Sequence, residues 1–151
     1  MNFRSPKPPS TDPALAQLRV PPHSIEAEQS VLGGLLLDNM AWDRMGDMVA
    51  DGDFYRDEHR RIFRQIRNLL ETGKPADVVT VAEALDAAGE GDRTGGLAYL
   101  GELAANTPSA ANIKRYAEIV RERAVLRQLA ATADEIAANA LNPLGRDAES
   151  I

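Results

Sequence analysis

The sequence predicts an all-α protein: a compact multi-helix head followed by a projecting helical hairpin whose second arm is truncated. Three observations carry this. Apolar residues recur at helical spacing from Ser24 onward. No segment alternates apolar and polar residues in the two-residue period of a half-buried strand. Proline falls between the periodic segments from Ser24 onward rather than inside them.

The elements follow in order. Pro6, Pro8, Pro9, Pro13, Pro21 and Pro22 are six of the nine prolines, set among Ser, Thr and Asp. Residues 1–22 are therefore expected to be a disordered tail. The head, residues 23–108, opens on SIEAEQSVLGGLLLDN (residues 24–39). Ser24 is a favourable N-cap, Glu26 and Glu28 suit the positive end of the helix dipole, and Ala27, Val31, Leu32, Leu35 and Leu36 make one face. Trp42, Met45 and Val49 suggest a short second helix. The third carries His59, Ile62, Phe63, Ile66, Leu69 and Leu70 inward and stops at Gly73 and Pro75. Thr80 and Glu83 have capping-box spacing for a fourth, with Leu85 and Ala88 inward. A fifth, after the glycine-rich stretch at residues 89–96, carries Leu97, Leu100, Leu103 and Ala104.

The last helix is expected to run about 30 residues, or about 45 Å. Its apolar face shifts along its length. Ile113, Tyr116 and Val120 form one set; Ile119, Leu126, Leu129, Ala133, Ile136 and Ala140 form another. One helix with two seams packs first on the head and then on something else. The turn at NPLG (residues 142–145) followed by RDAESI (residues 146–151) reads as a hairpin whose second arm has only begun, so residues 109–151 are assigned to its first arm and turn.

Composition excludes several functions. Cysteine is absent, which removes disulfides and thiolate metal sites and suits a reducing cytoplasm. No apolar run is long enough to span a bilayer, so no membrane partner is expected. The net charge is −6 and the pI near 4.9, which argues against nucleic acid as the main partner and favours protein.

No motif supplies catalytic chemistry. Leu-Gly-Gly-Leu lies inside an apolar helix with no following Lys-Ser/Thr, and Gly73-Lys74 lacks the first glycine of a phosphate loop. Close packing of another helix, such as the third through Ile62 or Ile66, is the expected role of Gly33 and Gly34. His23 and His59 lack metal-site spacing, and Asp51-Gly-Asp53 lacks the later ligands of a calcium loop. Catalytic, cofactor and metal residues are all expected to be absent. Arg60, Arg64 and Arg67 share one helix face and form a candidate basic face. A solvated or salt-bridged surface is the expected state, and a nucleic-acid-binding helical module is the alternative function. Lys114 with Glu118, and Arg121, Arg123 and Arg127 with Glu122, are expected to solubilise the long helix. The second seam is the candidate partner or self-association surface: Ile119, Leu126, Leu129, Ala133 and Ile136.

Several stretches carry a family resemblance: PPHSIEAEQSVLGGLLLDN (residues 21–39), DFYRDEHRRIF (53–63), GLAYL (96–100), NTPSAANI (106–113) and RERA (121–124). Together, and in this order, they resemble the N-terminal domain of bacterial DnaB-type replicative DNA helicases. The resemblance implies dimers associating partly through hairpins, three dimers forming a collar on a hexamer, and a docking site for primase in the primosome. It further implies a part in loading, hence a helicase loader as partner, and a bacterial cytoplasmic setting. ATP and Mg, duplex unwinding and most DNA contact belong in that family to a C-terminal ATPase domain, of which nothing is matched here. The fragment itself is expected to need no cofactor and to be no enzyme.

Overall fold

A computed structural model describes residues 20–142. Of the expected tail, residues 1–22, positions 1–19 lie outside the described residues, as do the residues of the expected hairpin turn and second arm after Asn142; residues 20–22 are described, and Pro22 is bonded to the last helix by Arg127. Within them all regular structure is helical: α1 (Ile25–Leu37), α2 (Trp42–Met45), α3 (Asp57–Glu71), α4 (Val78–Ala87), α5 (Gly91–Thr94), α6 (Gly96–Asn106) and α7 (Ile113–Leu141), with 3-10 turns at Asn39–Ala41 and Asp51–Asp53.

The first helix is the centre of the head. It is capped by Ser24, whose Oγ accepts the Ala27 amide at 3.2 Å. Ala27, Val31, Leu32, Leu35 and Leu36 are buried as their spacing predicts, but so are Glu28, Gly33 and Gly34. The helix is wrapped rather than one-faced, with α3, α6 and α7 packed around it. A helix apolar on nearly every side belongs in a core, which is where this one lies. Asn39 explains its stop: Nδ2 donates to the carbonyls of Leu35 (2.9 Å) and Ala76 (2.8 Å), and Oδ1 accepts the Ala76 amide (3.1 Å).

The glycine pair admits a close neighbour, though a different one from the third helix. A Cβ at Gly33 would collide with Thr107 Oγ1 and the Leu103 carbonyl oxygen, and would lie 2.9 Å from Thr107 Cβ. At Gly34 it would meet Ile113 Cδ1 at 3.0 Å. The end of α6 and the start of α7 therefore cross α1 here, not Ile62 or Ile66. Those two residues fill the core with Phe54, Phe63 and Leu85 instead.

Other expectations shift locally. The helix α4 begins two residues before Thr80: Asp77 is its cap, with Thr80 N donating to Asp77 Oδ1 and Asp77 N donating to Thr80 Oγ1, both at 2.8 Å. Leu85 is buried but Ala88 is exposed, Val81 and Ala82 taking the inward positions. Leu97 is exposed while Leu100 and Leu103 are buried. The glycine-rich stretch contains α5, and its turn into α6 uses left-handed φ values at Gly95 (81°) and Gly96 (57°), which glycine adopts without a Cβ clash.

In α7 the change of environment is abrupt. Ile113, Ala117 and Val120 are buried, and no residue from Arg121 to Asn142 is. The helix therefore leaves the head near Arg121 and continues into solvent.

Candidate functional site

Two arrangements stand out: a buried polar network in the head, and an exposed apolar seam aimed by an arginine clamp.

The network joins three helices. Glu28 of α1 is 1% exposed, and its Oε2 accepts the Tyr55 amide at 2.8 Å while Oε1 accepts the Arg56 amide at 3.4 Å. The same Oε1 lies 2.8 Å from Nδ1 of His59, which is wholly buried on α3. On the other side of the ring, Nε2 lies 2.6 Å from the Tyr99 hydroxyl of α6, and Gln29 Nε2 donates to that hydroxyl at 3.3 Å. One tautomer satisfies the whole chain: Gln29 donates to Tyr99, Tyr99 to His59 Nε2, and His59 Nδ1–H to Glu28. Sequence reasoning gave Glu28 a role at the helix dipole in the first turn and assigned it no buried partner. The missed signal is positional, because Glu28 precedes Val31 and Leu32 by three and four residues and so shares their face.

The clamp fixes where α7 leaves the head. Arg121 Nη1 donates to Asp53 Oδ1 at 2.9 Å, and the other oxygen of that carboxylate accepts the Ala50 amide at 2.9 Å. One turn and a half further on, Arg127 donates to the Asp53 carbonyl (2.6 Å) and the Pro22 carbonyl (2.8 Å). Its guanidinium sits 5.4 Å from the centre of the Tyr55 ring, which stacks on His23 at 4.3 Å. These two arginines anchor the helix to the head; they do not merely solubilise it. Arg115, rather than Lys114, pairs with Glu118 at 3.3 Å.

The candidate basic face is occupied by the chain's own acceptors. Arg60 donates to the carbonyls of Phe54 and Tyr55, each at 3.0 Å. Arg64 and Arg67 both reach Asp51, at 3.0 and 3.3 Å, and Arg61 bridges Asp57 and Glu90. Burial raises the affinity of Asp51 for a proton, but the Arg64 hydrogen bond and the charges of Arg67 and Arg64 outweigh it and hold the carboxyl below its ordinary range. At Asp57 the hydrogen bond from Arg61 lowers the carboxyl most.

The candidate seam is split by the structure. Ile119 is half-buried and packs on the head core, so it does not extend the distal surface. Leu126 (41% exposed), Leu129 (63%) and Ile136 (52%) stand open, and Ala133 between them is exposed as well. Leucine and isoleucine repeating along one side of a projecting helix form a surface suited to another helix. Among the described residues no group of three or more His, Cys, Asp or Glu is placed to hold a metal ion, and no helix is long and apolar enough to cross a membrane.

The described residues thus form an all-helical head from which one long helix emerges with an exposed apolar seam. The chain belongs to the DnaB-like helicase N-terminal domain family, whose model matches residues 20–122. It is 46% identical over 142 residues to the replicative DNA helicase DnaB of Haemophilus influenzae, covering 94% of this chain and 30% of that protein. It is 45% identical over 119 residues to the Geobacillus stearothermophilus helicase, covering 79% and 26%. The chain thus spans about three tenths of the length of the replicative helicases it matches. Among solved structures, the N-terminal domain of DnaB helicase from Mycobacterium tuberculosis superposes with a TM-score of 0.82 at 39% identity, covering 87% of this chain and 91% of that one. A DnaB-like replicative helicase, solved to show its interactions with primase, superposes at 0.67 with 26% identity, covering 80% and 29%.

Proposed function

We propose that this chain is the N-terminal collar domain of a replicative DNA helicase. It self-associates, contributes to loading of the ring, and docks primase beside the emerging strand. Residues 23–108 serve as the head and residues 109–151 as the first arm and turn of the hairpin. Unwinding, ATP and Mg belong to the ATPase domain of the parent chain.

The observation that carries this reading is the open seam of Leu126, Leu129 and Ile136 on a helix rigidly anchored to the head. Family membership supports the collar role, and the structural relative solved with its primase interactions supports primase as the partner class. The engagement of Arg60, Arg64 and Arg67 by acceptors within the chain weighs against a nucleic-acid module.

The test is a Leu129→Asp/Ile136→Asp double variant. Weaker self-association in sedimentation, or weaker capture of a primase C-terminal domain, at unchanged helix content is the expected result. Wild-type behaviour in both assays would reject the seam as the contact surface.

A further inference from the structure

Two members of the buried network, Gln29 and Tyr99, also line a cleft of about 230 Å³ between α1 and α6. Glu26 and Ser30 stand beside Gln29 on the α1 wall, and Glu102 and Asn106 beside Tyr99 on the α6 wall. Glu26 and Glu102 are the only charged side chains on the cleft. Both are exposed, and neither receives an ion pair or a hydrogen bond among the described residues. In this they differ from Asp51, Asp53, Asp57 and Glu90, each of which holds an arginine of the chain.

The end of α6 adds to the negative field. Its last turn carries no basic residue, so the negative pole of the helix dipole opens uncompensated at Asn106 and Thr107, both on the cleft. The positive pole of α1, on the other wall, is already met by Glu26 and Glu28 in its first turn.

This field selects a cation, and the rest of the lining selects its kind. The cleft is smaller than the about 300–1,000 Å³ of pockets for drug-sized ligands. Two carboxylates repel phosphate, and among the described residues no group of three or more His, Cys, Asp or Glu is placed to hold a metal ion. A guanidinium meets what remains. It is planar and donates in several directions, which suits two carboxylates on facing walls, the Ser30 hydroxyl and the side-chain oxygens of Gln29 and Asn106. It also packs on aromatic rings, and Tyr99 is held ready for it by His59 (2.6 Å) and Gln29 (3.3 Å).

We infer that this cleft is a socket for an arginine side chain presented by a protein partner, a contact on the head separate from the seam on α7. Glu26 and Glu102 hold the charge, and Tyr99 supplies the flat surface. An arginine within a peptide brings only its guanidinium, whereas the free amino acid would also bring a carboxylate toward two glutamates.

The test is a titration of the isotope-labelled 151-residue protein with N-acetyl-arginine amide, followed by amide chemical shifts. Saturable shifts confined to residues 26–30 and 99–107 are expected, weakening as salt is added. Glu26→Gln and Glu102→Gln, both at exposed positions, should each weaken binding several-fold. N-acetyl-citrulline amide, which keeps the shape and loses the charge, should leave these residues unmoved, as should magnesium chloride. N-acetyl-lysine amide and free arginine should bind more weakly. The assignment is overturned by shifts spread over acidic surface generally, or by no saturation. It is equally overturned if the citrulline or lysine derivative, free arginine or magnesium binds as well, or if the two glutamine variants bind like wild type.

Discussion

Nδ1 of His59 lies 2.8 Å from Oε1 of Glu28, and both side chains are almost wholly removed from solvent. The pair ties α3 to α1, while the second carboxylate oxygen receives the Tyr55 amide from the segment that meets α7. The polar centre of the head is thus connected, through one loop, to the base of the projecting helix.

Glu28→Ala should strongly destabilise the protein. It leaves the Tyr55 amide and His59 Nδ1 buried without an acceptor, at about 1–3 kcal/mol for each. Chemical denaturation should show a loss of roughly 3 kcal/mol or more. A variant within about 0.5 kcal/mol of wild type, the size of effect expected at ordinary surface sites, would deny the network its structural role.

The two glycines should behave differently. Gly33→Ala drives a methyl into the Leu103 carbonyl and Thr107, so it should cost about 1–3 kcal/mol despite better helix propensity. Gly34→Ala presses on Ile113 Cδ1 at 3.0 Å and otherwise makes ordinary contacts, with Ile113 Cγ1 and Ala110 Cα, so its gain of about 1 kcal/mol in propensity should roughly offset the contact. Thermal melts of the two variants distinguish the cases; a stabilised Gly33→Ala would contradict the close crossing.

Arg127→Ala should loosen the base of the long helix while leaving the head core intact. Lost hydrogen bonds and the lost contact with Tyr55 correspond to about 1–2 kcal/mol locally. Amide exchange should quicken around residues 121–130 and stay unchanged in α3. Uniform acceleration throughout the head would mean that Arg127 supports global folding instead.

The acid limb of stability should depend on Asp51. Its carboxyl titrates below the ordinary range in the folded protein because Arg64 and Arg67 hold the charged form. A depressed folded-state value means the contribution is fully present above the unfolded value, about 3.9, and is lost as pH falls through the folded value. Asp51→Asn should therefore lower stability at neutral pH and flatten the decline between about pH 5 and pH 2. An unchanged acid profile would refute the assignment.

Much of the helical framework was legible because helix periodicity is local. Ser24 as a cap, the inward run of His59, Ile62, Phe63 and Ile66, and the open distal residues Leu126, Leu129 and Ile136 all follow from spacings of three and four. Two of the errors share a cause, sequence distance. Arg121 and Arg127 read as ordinary surface residues because Asp53 and Pro22 lie 68 and 105 residues away in sequence. Glu28 read only as a first-turn acid suited to the helix dipole because its partner His59 is 31 residues distant. The misplaced start of α4 has a local cause instead: Asp77 and Thr80 form a cap three residues earlier than the Thr80–Glu83 spacing suggested, since both pairs have the same three-residue spacing.

The sequence alone determined the class of fold, the family, and the presence of a glycine-relieved crossing on the first helix. Hydrophobic periodicity and the cost of glycine within a helix are properties of neighbouring residues. Which segment fills the space at Gly33, which carboxylate is buried, and where the long helix parts from the head were decided only in three dimensions. Those outcomes depend on groups brought together by packing, where desolvation makes an unmet hydrogen bond costly and so selects one partner for each.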